Sequence, residues 1–265
     1  GDLIATTSND RTCIIWNPHT AEKLTTLTGH TSWVARVAWH PSGDLIATTS
    51  DDGDCIIWNP HTAEKLTTLI CSLFAVTGVA WHPSGNLIAT TSDDRCSIWN
   101  PHTAQKITTL TDHTNHINWL TGAAWHPSGN LIATTSKDRC IIWNPHTSEK
   151  ITTLTDRVTG AAWHPTGDLI ATTSTDATCI IWNPHTAEKL TTLTDRVTGA
   201  AWHPTGDLIA TTSHDGTCII WNPHTAEKLT TLTGHTSWVT GVAWHPTGDL
   251  IATTSNDRTC IIWNP

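Results

Sequence analysis

The chain has 265 residues, with 14 Lys and Arg against 23 Asp and Glu and a formal net charge of −9 when histidines are neutral. That balance, with no run of basic residues, excludes the broad cationic surface that a nucleic-acid backbone needs. Sixteen Trp stand beside one Phe and no Tyr or Met, the composition of one short unit multiplied, and a chain without Met that opens on Gly1 reads as a processed product or a piece of something longer.

Residues 1–18 open the chain partway into a unit and recur unchanged as 248–265. The next unit predicts four strands: "WVARVAWH" (33–40), "DLIATTS" (44–50), "CIIW" (55–58) and "EKLTTL" (64–69). Each is short, and β-branched residues with Trp dominate them, which favours strand over helix. "PSG" (41–43), "DDGD" (51–54) and "NPHT" (59–62) separate them with turn chemistry. "LICSLFAVTGVAW" (69–81) follows, the nearest approach to a membrane segment. It is broken by Ser, Thr and Gly and falls short of the ~18 apolar residues of a spanning helix, so no membrane partner is expected. No signal-peptide pattern opens the chain, and no Asn-x-Ser/Thr acceptor occurs, because each "NPHT" puts Pro after Asn.

"WNP" begins at residues 16, 58, 99, 143, 182, 221 and 263, so the unit returns every 39–44 residues to the end of the chain. A period of that size marks a solenoid or a propeller. "CIIW" and "LIA" carry apolar residues on both faces, so each sheet must be covered on both sides. Identical four-stranded sheets packed face to face around a ring achieve this. The expected fold is therefore all-β: a β-propeller of four-stranded antiparallel blades, one domain over 1–265. Strands of the second and third types number seven, and those of the first and fourth types six. That predicts seven blades with an incomplete seam at the termini, through which self-association is also allowed.

Seven of the eight cysteines (Cys13, Cys55, Cys96, Cys140, Cys179, Cys218, Cys260) hold one equivalent position. Neighbouring copies would stand about 10 Å apart, beyond the ~7 Å Cα separation that a disulfide tolerates. They read as small buried apolar residues with free thiols, which favours a reducing, cytoplasmic setting. No CxxC pair exists, so no zinc site is expected, and nothing calls for another cofactor.

"GHTSWVTGVAWHPTGDLIATTSNDRTCIIWN" (234–264) resembles one WD repeat. The Gly-His dipeptide, the "AWHPTG" turn, the Ser-x-Asp at 255–257 and the final Trp stand at that family's spacing. The chain is thus similar to the WD-repeat β-propellers along its whole length, with Trp-Asn in place of Trp-Asp in all seven copies. The resemblance implies a hydrogen-bonded tetrad of His, strand hydroxyl, turn Asp and Trp: His30, Thr48, Asp52 and Trp58 in one repeat, His235, Thr253, Asp257 and Trp263 in another. Asp-His stands at His113, and the remaining repeats lack the dipeptide. Their Asp10, Asp94, Asp176 and Asp215 are expected to bond their own turns, and their blades to be less stable.

Comparison among copies locates function. "LIATTS" and "WNP" do not vary, and they serve packing. Variation gathers at the residue before the turn Asp (Asn9, Asp51, Asp93, Lys137, Thr175, His214, Asn256) and in the connections into the first strand. Those connections carry Trp33, the segment with Ile70, Leu73 and Phe74, then Trp119 and Trp238. Strand order puts both sets at one rim, which the resemblance makes the usual partner-binding face. Variable chemistry on an invariant scaffold is what a recognition surface looks like, and exposed Trp is a common hot spot. The alternative is drift at loop tips.

The "WHP" and "NPHT" histidines fall at the opposite rim and read as a by-product of repetition. A His, a hydroxyl and an Asp per repeat also match a hydrolase triad, but catalysis needs one asymmetric constellation, and no nucleophile elbow or phosphate loop is present. No enzymatic activity is expected. The reading is a non-catalytic interaction or scaffold propeller that engages a protein. A carbohydrate-binding propeller and a structural scaffold without a ligand, amplified or engineered, are the alternatives.

Overall fold

The computed structural model describes residues 3–93, 95–111, 119–155 and 157–265. They form 26 strands in seven antiparallel sheets, the blades of a β-propeller, with no helix among them. Five sheets have four strands: 34–70, 76–110, 120–155, 158–194 and 197–233. Two have three: 4–28, without a first-type strand, and 239–263, without a fourth. The chain divides into two compact units, one of residues 1–125, 129–134 and 144–149, the other of 126–128, 135–143 and 150–265.

The sheet 34–70 shows why the sequence folds this way. Its strands are Val34–Trp39, Ile46–Ser50, Asp54–Trp58 and Lys65–Ile70, within two residues of the sequence expectation. Successive side chains of a strand point to opposite faces. Cys55 and Ile57 therefore join Ala47 and Leu69 against Val76, Trp81 and Ile88 of the next sheet. Ile46, Ile56 and Trp58 face the other way, onto Cys13, Ile15 and Leu27. The second unit repeats the scheme: Cys179, Ile181 and Leu193 pack with Ile209, Ile219 and Trp221. No sheet could hide both faces alone, and stacking copies hides the faces that meet.

Within each unit a carbonyl bond also laces two of the sheets to the one before. Within the first unit, Trp81 and Trp125 donate their indole N–H to the carbonyls of Ala38 and Ala80, both at 3.1 Å. Within the second, Trp202 and Trp244 donate to Ala162 and Ala201.

The repeated cysteines are free and buried with one exception. Burial pushes the Cys13, Cys96, Cys140, Cys179 and Cys218 thiols up to about 12. Cys260 departs from the expectation of burial and is exposed. It lies on the third strand of the sheet 239–263, which has no fourth strand pairing beyond it among the described residues.

Candidate functional site

In the sheet 34–70 a polar chain runs from core to surface. Trp58 donates its indole N–H to Thr48 Oγ1 at 2.8 Å, and Thr48 Oγ1 lies 2.8 Å from His30 Nε2. His30 Nδ1 lies 3.0 Å from Asp52 Oδ2. One proton per link satisfies the series: Thr48 O–H donates to Nε2, and Nδ1–H donates to the carboxylate. Asp52 also accepts the backbone N–H of Thr31 and Asp54. Burial alone would raise the Asp52 pKa, but those two donors and His30 bring it below its ordinary value. Gly29 has no Cβ because the Trp58 ring stands where one would go, at 2.9 Å.

The second unit builds the same series in the sheet 239–263. Trp263 donates to Thr253 Oγ1 at 2.8 Å, Thr253 Oγ1 lies 2.8 Å from His235 Nε2, and His235 Nδ1 lies 2.8 Å from Asp257. Where no His is present, Trp182 and Trp221 still reach Thr172 and Thr211 at 2.7 Å. The turn acids there close on themselves. Asp10, Asp176 and Asp215 each accept the N–H and O–H of the Thr two residues on. Asp94 and His113 lie outside the described residues. Each of these His–hydroxyl–Asp series is thus spent on an indole, buried at Trp58 and half-buried at Trp263.

The two variable sets meet at one end of four sheets. In the first unit the Asp51 N–H donates to the Trp33 carbonyl at 3.1 Å. In the second, Thr175 donates to Arg157, His214 to Arg196 and Asn256 to Trp238. Backbone bonds carry no side-chain preference, so the tip residues are free to vary while their placement stays fixed. Trp33, Trp119 and Trp238 are 56%, 61% and 52% exposed, and Leu73 is 96% exposed with Ile70 and Phe74 also outside. Asp51, Lys137, Thr175 and His214 are exposed, and Asp93 is half-buried beside Ser72. His214 stacks on Trp238, with ring centroids 4.4 Å apart and planes 13° off parallel. In the same unit a cavity of about 240 Å³ opens between Thr175 and His214.

The opposite end is built for adhesion between blades. Five of the six "WHP" histidines meet the Trp that ends the next sheet's first strand edge-on: His40 with Trp81 and His82 with Trp125 in the first unit, His126 with Trp163, His164 with Trp202 and His203 with Trp244 in the second. Nδ1 accepts the N–H of the residue two on, as at Ser42 and Thr166, and Nε2–H of His164 donates to the Gly206 carbonyl. Gly85 and Gly206, both at positive φ, leave the space these rings fill. Among the described residues no group of three or more His, Cys, Asp or Glu is placed to hold a metal ion.

These features match known proteins. The profile of the family described as "WD domain, G-beta repeat" matches residues 21–59, 63–100, 104–144, 148–183, 187–222 and 226–264. The chain belongs to the WD40 family. One curated relative, Nuclear distribution protein PAC1-2 of Postia placenta (strain ATCC 44394 / Madison 698-R), is 44% identical over 43 residues. That stretch is 16% of this chain and 10% of the relative, so about one repeat is compared.

Against the WD40 pattern, the Asn of six of the seven Trp-Asn pairs keeps a defined task. Asn59 Oδ1 accepts the N–H of His61 at 2.9 Å and of Thr62 at 3.2 Å, and Asn17, Asn100, Asn144, Asn183 and Asn222 do the same in their copies. A neutral carbonyl serves this turn as well as a carboxylate. Sequence reasoning missed the histidine clips, whose signal was the Gly in every "HPSG" and "HPTG". That Gly pairs with the histidine of the preceding copy, not its own.

Proposed function

We propose that this WD40 propeller is a non-catalytic recognition module whose variable rim binds a protein partner. One observation carries the reading. The two sets of positions that vary among otherwise near-identical copies are held side by side by backbone hydrogen bonds, with aromatic side chains exposed among them. "LIATTS" and "WNP" repeat without change while variation gathers at this end, which supports a use beyond the fold. Non-catalytic action is favoured because in each described His–hydroxyl–Asp series the hydroxyl next to the His is already engaged by a Trp Nε1–H, buried at Trp58 and half-buried at Trp263. Free buried thiols support a reducing compartment as its setting, and the acidic balance disfavours nucleic acid.

The test is a paired capture from cell lysate, followed by mass spectrometry. One bait is this chain; the other carries Trp33→Ala, Lys137→Ala, His214→Ala and Trp238→Ala after circular dichroism shows both are folded. A protein held by the first and lost by the second is expected. Identical captures would remove the rim from the account.

A further inference from the structure

We propose that the cavity between the sheets 158–194 and 197–233 receives an aromatic side chain of the partner, an indole above all, flanked by an acidic residue. The proposal rests on the rim reading above and gives its chemistry. The cavity measures about 240 Å³, room for one large side chain rather than a drug-sized ligand. Thr159, Ser174 and Thr175 form one wall; Val197, Thr198 and His214 form the other. Methyls of Thr and Val give it an apolar lining, and hydroxyls with one imidazole supply hydrogen-bonding atoms for an indole N–H.

The chain itself shows what fits such a place. Six residues separate Leu232 from Val239 in the connection into the sheet 239–263, and the last of them is Trp238. That indole lies against His214, the tip residue of the preceding sheet. Only three residues separate Leu193 from Val197, and the position equivalent to Trp238 is Arg196. The equivalent tip residue is Thr175, and the cavity opens beside it. A partner's Trp would therefore take the place that the short connection leaves without one.

Charge favours an acidic neighbour. Arg196 is exposed, and its carbonyl accepts the N–H of His214, a lining residue, so its backbone stands beside the cavity. The described acids nearby are engaged: Asp195 pairs with Lys228 at 2.6 Å, while Asp176 and Asp215 bond Thr178 and Thr217.

The probe is a tripeptide amide with 5-fluorotryptophan between two aspartates, observed by fluorine NMR as the full chain is titrated in. Saturable binding is expected, weaker for the same peptide with lysines in place of the aspartates. Thr175→Trp fills the cavity with the chain's own indole and should abolish binding. Arg196→Asn, which tolerates the positive φ of 49° at that position, should weaken binding about threefold at low salt and less at high salt. Absent saturation, or binding that survives Thr175→Trp, overturns the proposal. Should Thr175→Trp fail to fold by circular dichroism, an unaltered affinity in Arg196→Asn overturns it instead. If the cavity fails while the paired capture still loses its protein, recognition lies elsewhere on the rim. If both fail, the rim reading falls too.

Discussion

Thr49 shows how one departure from the repeat leaves a mark. Its hydroxyl is buried and has no partner among the described residues. At the equivalent place, Thr91 lies 3.0 Å from Thr77 Oγ1, Thr173 2.9 Å from Thr159, and Thr212 2.8 Å from Thr198. "VTG" becomes "VAR" in the sheet 34–70, so Ala35 stands where the hydroxyl donor belongs. Arg36 adds a Cβ that would crowd the hydroxyl, since one built on Gly78 meets Thr91 Oγ1 at 2.6 Å. The double change Ala35→Thr with Arg36→Gly should raise stability by about 1 kcal/mol, read as a higher urea midpoint. The converse holds at Thr48, the shared partner of His30 and Trp58. Thr48→Val strands both and should cost about 1–3 kcal/mol. Asp52 sets the acid limit of the same series. Its folded pKa lies below 3.8, so the unfolded chain binds more protons as pH falls through that value. Its stabilisation is complete above about pH 4 and is lost as pH drops towards the folded pKa. Asp52→Asn should therefore be less stable at pH 7 and show a shallower loss of stability on acidification, which urea titrations across that range would reveal.

The turns between third and fourth strands carry a cost in every copy. Ala21, Ala63, Ala104, Ser148, Ala187 and Ala226 all have φ between 56° and 58°, a left-handed conformation that costs a residue with a Cβ about 1–2 kcal/mol. Gly avoids that cost but gives up conformational freedom on folding. Ala63→Gly should thus be stabilising by about 0.5–1 kcal/mol, and combined glycine substitutions should raise the melting temperature stepwise. These turns were legible in the sequence as punctuation, and so were the strands, because "CIIW" and "LIATTS" state a two-sided sheet and "NPHT" states its end. The partnership of the two variable sets was legible only as far as strand order reached. The bond from Asp51 to Trp33 and the stack of His214 on Trp238 join residues 18 and 24 positions apart, and only folding brings them together. The clip histidines were misread for a related reason. Each fills a space left by a Gly in the following copy, such as Gly85 for His40, so a search within one repeat finds neither partner. The exposure of Cys260 was hidden because every other copy of that position has a fourth strand beside it.

At the scale of the whole molecule, stability is the sum of blades and the joints between neighbours, as in any stacked repeat. The blades here are near copies, yet they are tied down unequally. In the sheet 34–70 the connection 28–33 is fixed at three points: Thr31 N–H and His30 on Asp52, and the Trp33 carbonyl on Asp51 N–H. In the sheet 197–233 the connection has three residues between Leu193 and Val197, no His, and two described ties, the His214 N–H on the Arg196 carbonyl at 3.4 Å and the exposed pair of Asp195 with Lys228 at 2.6 Å. Local opening follows the weakest ties. Amides of Ile56 and Ile57 should therefore exchange more slowly in native-state hydrogen exchange than those of Ile219 and Ile220, although the strands share one sequence. His30→Ala should bring the two rates together. His164→Ala should act in the second unit alone, speeding exchange on both sides of the joint between the sheets 158–194 and 197–233, where its ring and Gly206 meet. Equal rates in the native chain would mean that neighbouring blades, not the tetrad, set the opening energy. That ordering would also place a blade that opens more readily than the sheet 34–70 beside the cavity, easing the entry of a partner's side chain.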